Sequence, residues 1–173
     1  MPLLPENAEC FVSVFKAGAL ARIGHDVMLQ FQGMTLTVAE DQSMRAEFRT
    51  DSLQVVGALK DGRPQPGLLS MKDSSDIAGN IRKVLEPGRF PVAVFESTSV
   101  RDGKDALEIV GELTLHGVTR RVQVRAERAD GMATARVVVN QSDYAIKPFK
   151  ALLGALRIKP EVYVEIRVPY ADA

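Results

Sequence analysis

The stretch that decides the fold is EVYVEIRV, residues 161–168, where apolar and polar side chains alternate at every step. The stretches MRAEFR (residues 44–49) and RVQVRAER (residues 121–128) repeat this pattern. Side chains of a β-strand point alternately to opposite faces, so this alternation indicates strands with one apolar face and one wet face. Such strands are typical of antiparallel sheets. The sequence therefore predicts an antiparallel β protein.

Further strands and the turns between them extend the pattern over most of the chain. The dipeptides Asp102-Gly103, His116-Gly117 and Asp130-Gly131 are typical of tight hairpin turns. With additional strands expected over residues 9–15, 27–38, 91–100, 106–116 and 133–140, the chain has about eight strands. We therefore predict an all-β fold, an eight-stranded antiparallel up-and-down barrel that forms a single domain over residues 1–173.

Two segments have helical rather than strand periodicity. In residues 73–86 apolar side chains recur at helical spacing and Pro87-Gly88 ends the run, which predicts an amphipathic helix. In residues 147–155 Pro148 suits a first helical turn and apolar side chains again share a face, so we expect a short helical lid. Residues 57–70, rich in glycine and proline, are expected to form a surface loop.

The composition excludes several classes of protein. With 46% hydrophobic and 25% charged residues the chain is an ordinary globular protein rather than a disordered one. Its 22 basic and 22 acidic side chains balance, which disfavours a nucleic-acid partner because phosphate binding needs a surplus of basic residues. The single cysteine, Cys10, is interpreted as a small buried hydrophobic residue. No export signal is visible, so we expect a cytoplasmic protein, or a periplasmic one if a signal peptide has been removed.

Candidate catalytic groups are few. The only two histidines lie in Gly24-His25-Asp26 and in His116-Gly117. Since His25 and Asp26 begin a predicted strand, their side chains point to opposite faces and cannot act together as a base and its orienting group. No HxH, HxxxH or CxxC pattern supplies the ligands of a metal site, and no GxSxG marks a serine nucleophile. The sequence indicates a binding protein with no catalytic residue, metal or cofactor.

The predicted inner face carries unusually small side chains. Ala46, Gly111, Ala126, Ala133 and Ala135 occupy inward positions, and the chain has no tryptophan. Small side chains inside an eight-stranded barrel leave space that bulky ones would fill. Strands of about ten residues tilted by about 40° would then surround a tunnel on the order of 25 Å long. The interior is either a filled core or a cavity suited to a long, thin lipid.

Three motifs resemble signatures of the YceI-like family. LTLHGVT at residues 113–119 is similar to that family's L-T-I-H-G-V-T, RFPVAVFEST precedes it at residues 89–98, and NQSDYAI at residues 140–146 is similar to N-R-S-D-F-G-I. Gly24-His25-Asp26 resembles a glycine-histidine-aspartate of a subset of the family. The resemblance implies a lipocalin-like antiparallel barrel with a helix near one end. It also implies an interior that binds polyisoprenoid chains, such as isoprenoid quinones or their precursors, without enzymatic activity.

We predict that this barrel binds, stores or transports a polyisoprenoid or other long-chain lipid. The predicted lining is Phe31, Phe48, Phe95, Leu113, Leu115, Val137, Val139 and Val164, with Phe149, Leu152 and Leu153 in the lid. Basic residues flank the lid and suit either contact with an anionic head group or membrane surface, or simple solvation; these are Lys147, Lys150, Arg157 and Lys159.

Two alternatives remain open. A filled barrel would act through its surface, for instance as a homodimer paired along exposed strands. A hydrolase or metal-dependent enzyme would use His25 and His116 from opposite parts of the fold. The separation of the two imidazoles distinguishes the enzyme from the other two hypotheses.

Overall fold

The computed structural model describes residues 2–19 and 24–171, and these residues form one antiparallel sheet and one α-helix. The strands are β1 (Glu9–Ala17), β2 (Asp26–Phe31), β3 (Met34–Val38), β4 (Met44–Arg49), β5 (Leu53–Lys60), β6 (Arg63–Gln65), β7 (Val92–Asp102), β8 (Ala106–Leu115), β9 (Val118–Ala129), β10 (Met132–Asn140), β11 (Lys150–Ala151) and β12 (Leu156–Pro169). The helix α1 spans Met71–Leu85. The strands pair in the order β3-β4-β7-β8-β9-β10-β12-β1-β2-β5-β6, with β11 beside β12.

The predicted count of eight strands is wrong: the described residues form twelve. Two long strands are each divided by a bend, since only Gln32 and Gly33 separate β2 from β3 and only a 3₁₀ turn at Thr50–Ser52 separates β4 from β5. The two bent arms pair along both halves, β3 with β4 and β2 with β5. β3 and β4 stand at one end of the pairing order, and β2 and β5, the other halves of the same bent strands, stand near its other end. The sheet therefore curls into the half-barrel of a lipocalin-like fold.

Two predicted segments differ from the structure. The predicted loop over residues 57–70 contains the end of β5 and its hairpin partner β6. The predicted helical lid over residues 147–155 is wrong, because β11 pairs with the start of β12 and Leu152–Gly154 form a 3₁₀ turn. Local helical periodicity is a weak preference, and here pairing with β12 overrides it.

The predicted helix over residues 73–86 is confirmed, and it starts two residues earlier. The N-cap Ser70 accepts a hydrogen bond from the Asp73 backbone N–H at 3.0 Å, while the Asp73 carboxylate accepts one from the Ser70 N–H at 3.1 Å. This reciprocal capping box satisfies two amides that helix geometry leaves unpaired. Within the described residues, no helix combines the length and apolar character that crossing a bilayer requires.

The apolar face of α1 lies against the inside of the curled sheet. Ile77 and Ile81 pack on a cluster around Val27 and Leu29 of β2. One turn further on, Val84 and Leu85 pack on a second cluster, which includes Val139 of β10 together with Tyr144 and Ile146. The helix therefore bridges β2 and β10 across one part of the interior.

The end of the sheet remote from the β1–β2 connection is closed by the N-terminal segment. Leu3 forms an isolated bridge with Tyr170, and the Leu4 N–H donates to the Pro169 carbonyl at 2.7 Å. The Leu3 side chain packs on a buried cluster that includes Met44 and Leu107. The first residues of the chain thus form a plug at this end.

The space above Gly111 is filled by an aromatic ring. A Cβ on Gly111 would lie 2.5 Å from the Phe95 ring and 2.4 Å from the Glu96 carbonyl oxygen. Both distances are far below van der Waals contact, so only glycine lets β7 and β8 approach here. The prediction that Gly111 leaves open space inside the sheet is therefore wrong, because Phe95 occupies it.

We expect Gly111→Ala to destabilise the protein by about 1–3 kcal/mol, since the new methyl group must displace Phe95 or the backbone. A matched control is Gly79→Ala in α1, where a Cβ meets no atom within 4 Å. This control should stabilise the protein by up to about 1 kcal/mol because alanine favours helix. Urea unfolding of both variants measures the effects, and equal shifts of the same sign would contradict the account.

Candidate binding cavity

The curled sheet and α1 surround a cavity of about 500 Å³. This volume lies in the range of roughly 300–1,000 Å³ that is typical of small-molecule pockets. Its walls are apolar over most of their length and come from strands on every side of the curl as well as from the inner face of α1. The interior is therefore not the filled core of the surface-acting alternative.

Nine of the eleven predicted lining residues face this cavity. They are Phe31, Phe48, Phe95, Leu113, Leu115, Val137, Val139, Phe149 and Val164. Leu152 and Leu153 do not line it and are 57% and 110% exposed to solvent. Their placement in a lid over the cavity is wrong, because the 3₁₀ turn between β11 and β12 directs them outward.

Small side chains create the space, as the sequence predicts for four of the five positions. Ala46, Ala126, Ala133 and Ala135 are buried and line the cavity. Ala126 and Ala135 pair directly across β9 and β10, so neither strand sends a bulky group inward there. Ala93 of β7 contributes in the same way, although the sequence analysis does not single it out.

The cavity is long and narrow. Along β12, lining positions extend from Leu156 to Val168, twelve residue steps. At about 3.3 Å per step and a tilt of about 40°, they cover on the order of 30 Å along the axis of the curl. The plug residue Leu3 also lines the cavity and closes one end of it.

The opposite end carries the polar side chains and forms the mouth. Inward positions on β1 run Cys10, Val12, Val14, Lys16, so the first charge appears at the last of them. Around it lie polar residues from four other segments, namely His25, Asp73, Asp76, Asn80, Gln141 and Arg157. The cavity thus has one apolar closed end and one polar mouth.

The Gly24-His25-Asp26 motif lies at this mouth. Gly24 and His25 line the rim, whereas the Asp26 carboxylate accepts a hydrogen bond from the Lys16 backbone N–H at 2.9 Å. Asp26 is absent from the lining, as the alternation of side chains along β2 predicts. The two side chains therefore do not converge on the cavity.

The His116-Gly117 motif serves the fold rather than the cavity. The Nε2–H of His116 donates to the Glu86 carboxylate at 3.0 Å, and its imidazole lies 4.2 Å from the Phe90 ring centre. Glu86 is the left-handed C-cap of α1, so this contact ties the end of the helix to the β8–β9 hairpin. A Cβ on Gly117 would lie 2.8 Å from the Phe90 ring. His116 does not line the cavity, so the two histidines do not meet there.

The cavity wall also contains the Cys10 thiol, a group that is reactive when ionised. Cys10 is fully buried, and burial raises its pKa to about 12 because the thiolate loses its hydration. A neutral thiol is a poor nucleophile and metal ligand. Among the residues that the structure describes, no group of three or more histidine, cysteine or acidic side chains is placed to hold a metal ion.

Comparison with known proteins adds three findings. A family model described as YceI-like domain matches residues 12–170. Protein YceI of Escherichia coli O157:H7 is 46% identical over 43 residues, which are 25% of this chain and 22% of that protein. A UPF0312 protein of Vibrio vulnificus is 46% identical over 44 residues, 25% of this chain and 23% of its own. The matches to these two relatives span about a quarter of this chain and of each relative.

Solved structures share the fold at low sequence identity. BcnA of Burkholderia cenocepacia superposes with a TM-score of 0.63 at 11% identity, covering 98% of this chain and 100% of its own. A polyisoprenoid binding domain from Saccharophagus degradans, implicated in plant cell wall breakdown, gives a TM-score of 0.62 at 14% identity and covers 99% and 97%. At this identity the likeness concerns the fold.

We expect His116→Ala to lower the free energy of unfolding by about 1–3 kcal/mol, because it removes the hydrogen bond to Glu86 and the packing on Phe90. The matched control is His25→Ala at the exposed rim, with an expected change within about 0.5 kcal/mol. Denaturant unfolding measures both. A destabilisation by His25→Ala as large as that by His116→Ala would contradict the structural role.

Cys10 predicts an alkaline loss of stability. Its pKa is about 12 in the folded chain against an ordinary 9.0, so its contribution is complete below pH 9.0 and is lost as pH rises toward 12. We expect Cys10→Ala to show a shallower decline of unfolding free energy over this range than the wild type. Urea unfolding at stepped pH measures the slopes, and parallel slopes would contradict burial of the thiol.

Proposed function

Since this chain belongs to the YceI-like family, we propose that it binds a long apolar lipid of the polyisoprenoid type inside its cavity and stores or transports that lipid without chemical change. The observation that carries the proposal is the shape and polarity of the cavity. It is on the order of 30 Å deep, apolar along its walls, closed at the Leu3 end and polar only at the mouth.

The walls offer a ligand almost no hydrogen bonds. Among the described residues of the lining, Thr50 is the one buried polar residue, and its hydroxyl donates to the Phe90 carbonyl at 2.7 Å. A polar group inserted at depth would therefore lose its hydration without compensation. A hydrocarbon chain gains roughly 0.8 kcal/mol for each buried CH₂, reduced by the cost of ordering a flexible chain.

The polar mouth orients such a ligand. An amphiphile leaves its head group near Lys16, His25 and Arg157, where water and hydrogen-bonding side chains are available, and sends its tail toward Leu3. The reverse orientation would bury the head group against an apolar plug. A chain with one polar end therefore fits the cavity in one direction only.

Binding without catalysis agrees with the groups at the mouth. The Asp73 carboxylate is occupied by the Ser70 N–H and hydroxyl, and the Asp76 carboxylate pairs with the Lys72 ammonium at 2.8 Å. The high pKa of Cys10 keeps the thiol in the wall uncharged. These groups support a role in holding a ligand, and the similarly folded protein of Saccharophagus degradans is a polyisoprenoid binding domain.

Native mass spectrometry of freshly purified protein tests the proposal. We expect an adduct that organic extraction removes and that is identified as a long hydrocarbon chain with one polar end. The extracted protein should then take up an added polyprenol. Recovery of no lipid together with no uptake of polyprenol would overturn the proposal and favour a protein that acts through its surface.

A cavity-filling variant tests the binding site itself. We expect Ala135→Phe to lower polyprenol affinity at least tenfold, because the ring occupies cavity space next to Ala126. Overpacking against the surrounding cluster should cost about 1–3 kcal/mol of stability. The matched control is Val138→Phe on the same strand, whose side chain is exposed on the outer face. Fluorescence competition measures affinity, and circular dichroism monitors the fold. Unchanged affinity in Ala135→Phe would place the ligand elsewhere.

A further inference from the structure

A small hairpin projects beside the mouth of the cavity. β11 pairs with the first residues of β12, so Lys150 lies opposite Arg157 and Ala151 opposite Leu156. The tip consists of Leu152, Leu153 and Gly154. We refer to residues 150–157 as the mouth hairpin.

The tip presents two large apolar side chains to solvent. Leu152 and Leu153 have φ angles of 51° and 56°, in the left-handed region that bulky residues rarely adopt. This backbone turns both side chains away from the cavity, and Leu153 is fully exposed. A strained backbone that holds apolar groups in water stabilises nothing in the folded chain, so it suggests an external partner.

The mouth hairpin is also cationic. Residues 144–160 contain four basic residues and no acidic one: Lys147, Lys150, Arg157 and Lys159. Lys150 and Arg157 face each other directly across the strand pair, a like-charge arrangement that disfavours the hairpin. The two leucines thus project beyond a pair of cations, the order of groups that suits a surface with phosphates outside and hydrocarbon beneath.

The hairpin is fixed in position next to the opening. Phe149, Leu156 and Ile158 line the cavity and flank the tip. A Cβ on Gly18 would lie 2.5 Å from the Ala155 carbonyl oxygen, so the end of β1 supports the hairpin by direct backbone contact. On the helix side of the mouth, Met71 is 92% exposed, between the lining residues Leu69 and Asp73.

We propose that the mouth hairpin docks on an anionic lipid bilayer, with Leu152 and Leu153 inserted among the acyl chains and Lys150 and Arg157 against the phosphates. The cavity then opens toward the membrane. The rim also carries acidic groups, but the Asp76 carboxylate is paired with Lys72 and the Asp73 carboxylate is held by Ser70. Contact with the bilayer gives a lipid a path into the cavity that avoids water. This purpose rests on the proposed function, whereas the docking itself does not.

Vesicle binding tests the docking surface. Full-length protein is sedimented with vesicles of phosphatidylcholine alone and of phosphatidylcholine mixed with phosphatidylglycerol. We expect stronger binding to the anionic vesicles, and raised salt should weaken it. Leu152→Ser with Leu153→Ser should lower the partition coefficient at least tenfold. Lys150→Gln should lower it about fivefold on anionic vesicles only.

Two controls match these variants. Val138→Ser removes an exposed apolar side chain from the outer sheet face, and Lys83→Gln removes an exposed charge from α1. Neither should change binding. The proposal is overturned if the wild type does not bind anionic vesicles, if the hairpin variants bind as well as the controls, or if ultracentrifugation shows that the leucines instead mediate self-association.

Uptake of polyprenol from dilute solution separates this proposal from the function of the cavity. The leucine pair lies outside the lining, so its double variant should keep wild-type affinity for polyprenol while losing vesicle binding. Vesicle binding without any polyprenol uptake would support the docking surface and contradict the proposed function. Polyprenol uptake without vesicle binding would do the reverse.

Discussion

An apolar inner face too small to fill its own interior is the constraint on which this structure depends. Alternation along each strand sends apolar side chains inward, and burying them holds the curl together. Where Ala126 meets Ala135, however, neither strand sends a large side chain inward. The bent strands pair along both of their halves, so the sheet curls and encloses space. The cavity is thus a consequence of how the fold is stabilised.

Polar contacts fix the elements that the apolar interior alone would leave loosely placed. The capping box at Ser70 fixes the start of α1, and the contact between His116 and Glu86 fixes its end to the β8–β9 hairpin. The helix is therefore held at both ends, so its inner face can serve as part of a wall. The motif that most resembles the family signature has this role, which explains why its histidine does not line the cavity.

The sequence predicts the walls well and the ends poorly. Period-two alternation is a local property, so it identifies eight lining residues, from Phe31 to Val164. The bend at Gln32-Gly33 is not a local property, since strand-forming residues continue on both sides of it. Leu3 and the inner face of α1 carry no local signal that identifies them as wall, because only tertiary contacts bring them to the cavity. At residues 147–155 the helical spacing gives a wrong prediction, because Phe149 lines the cavity whereas Leu152 and Leu153 are exposed to solvent.

The plug formed by Leu3 gives the cavity a floor, so the depth available to a bound chain is limited. A tail shorter than the bore leaves unfilled volume against the leucine, while a longer one extends through the opening into whatever lies outside. Because the floor is tied to Pro169 and Tyr170 near the other terminus, its height is set by the sheet and not by the guest. If the cavity takes a lipid tail as proposed, the fixed position of Leu3 sets how much of that tail lies inside.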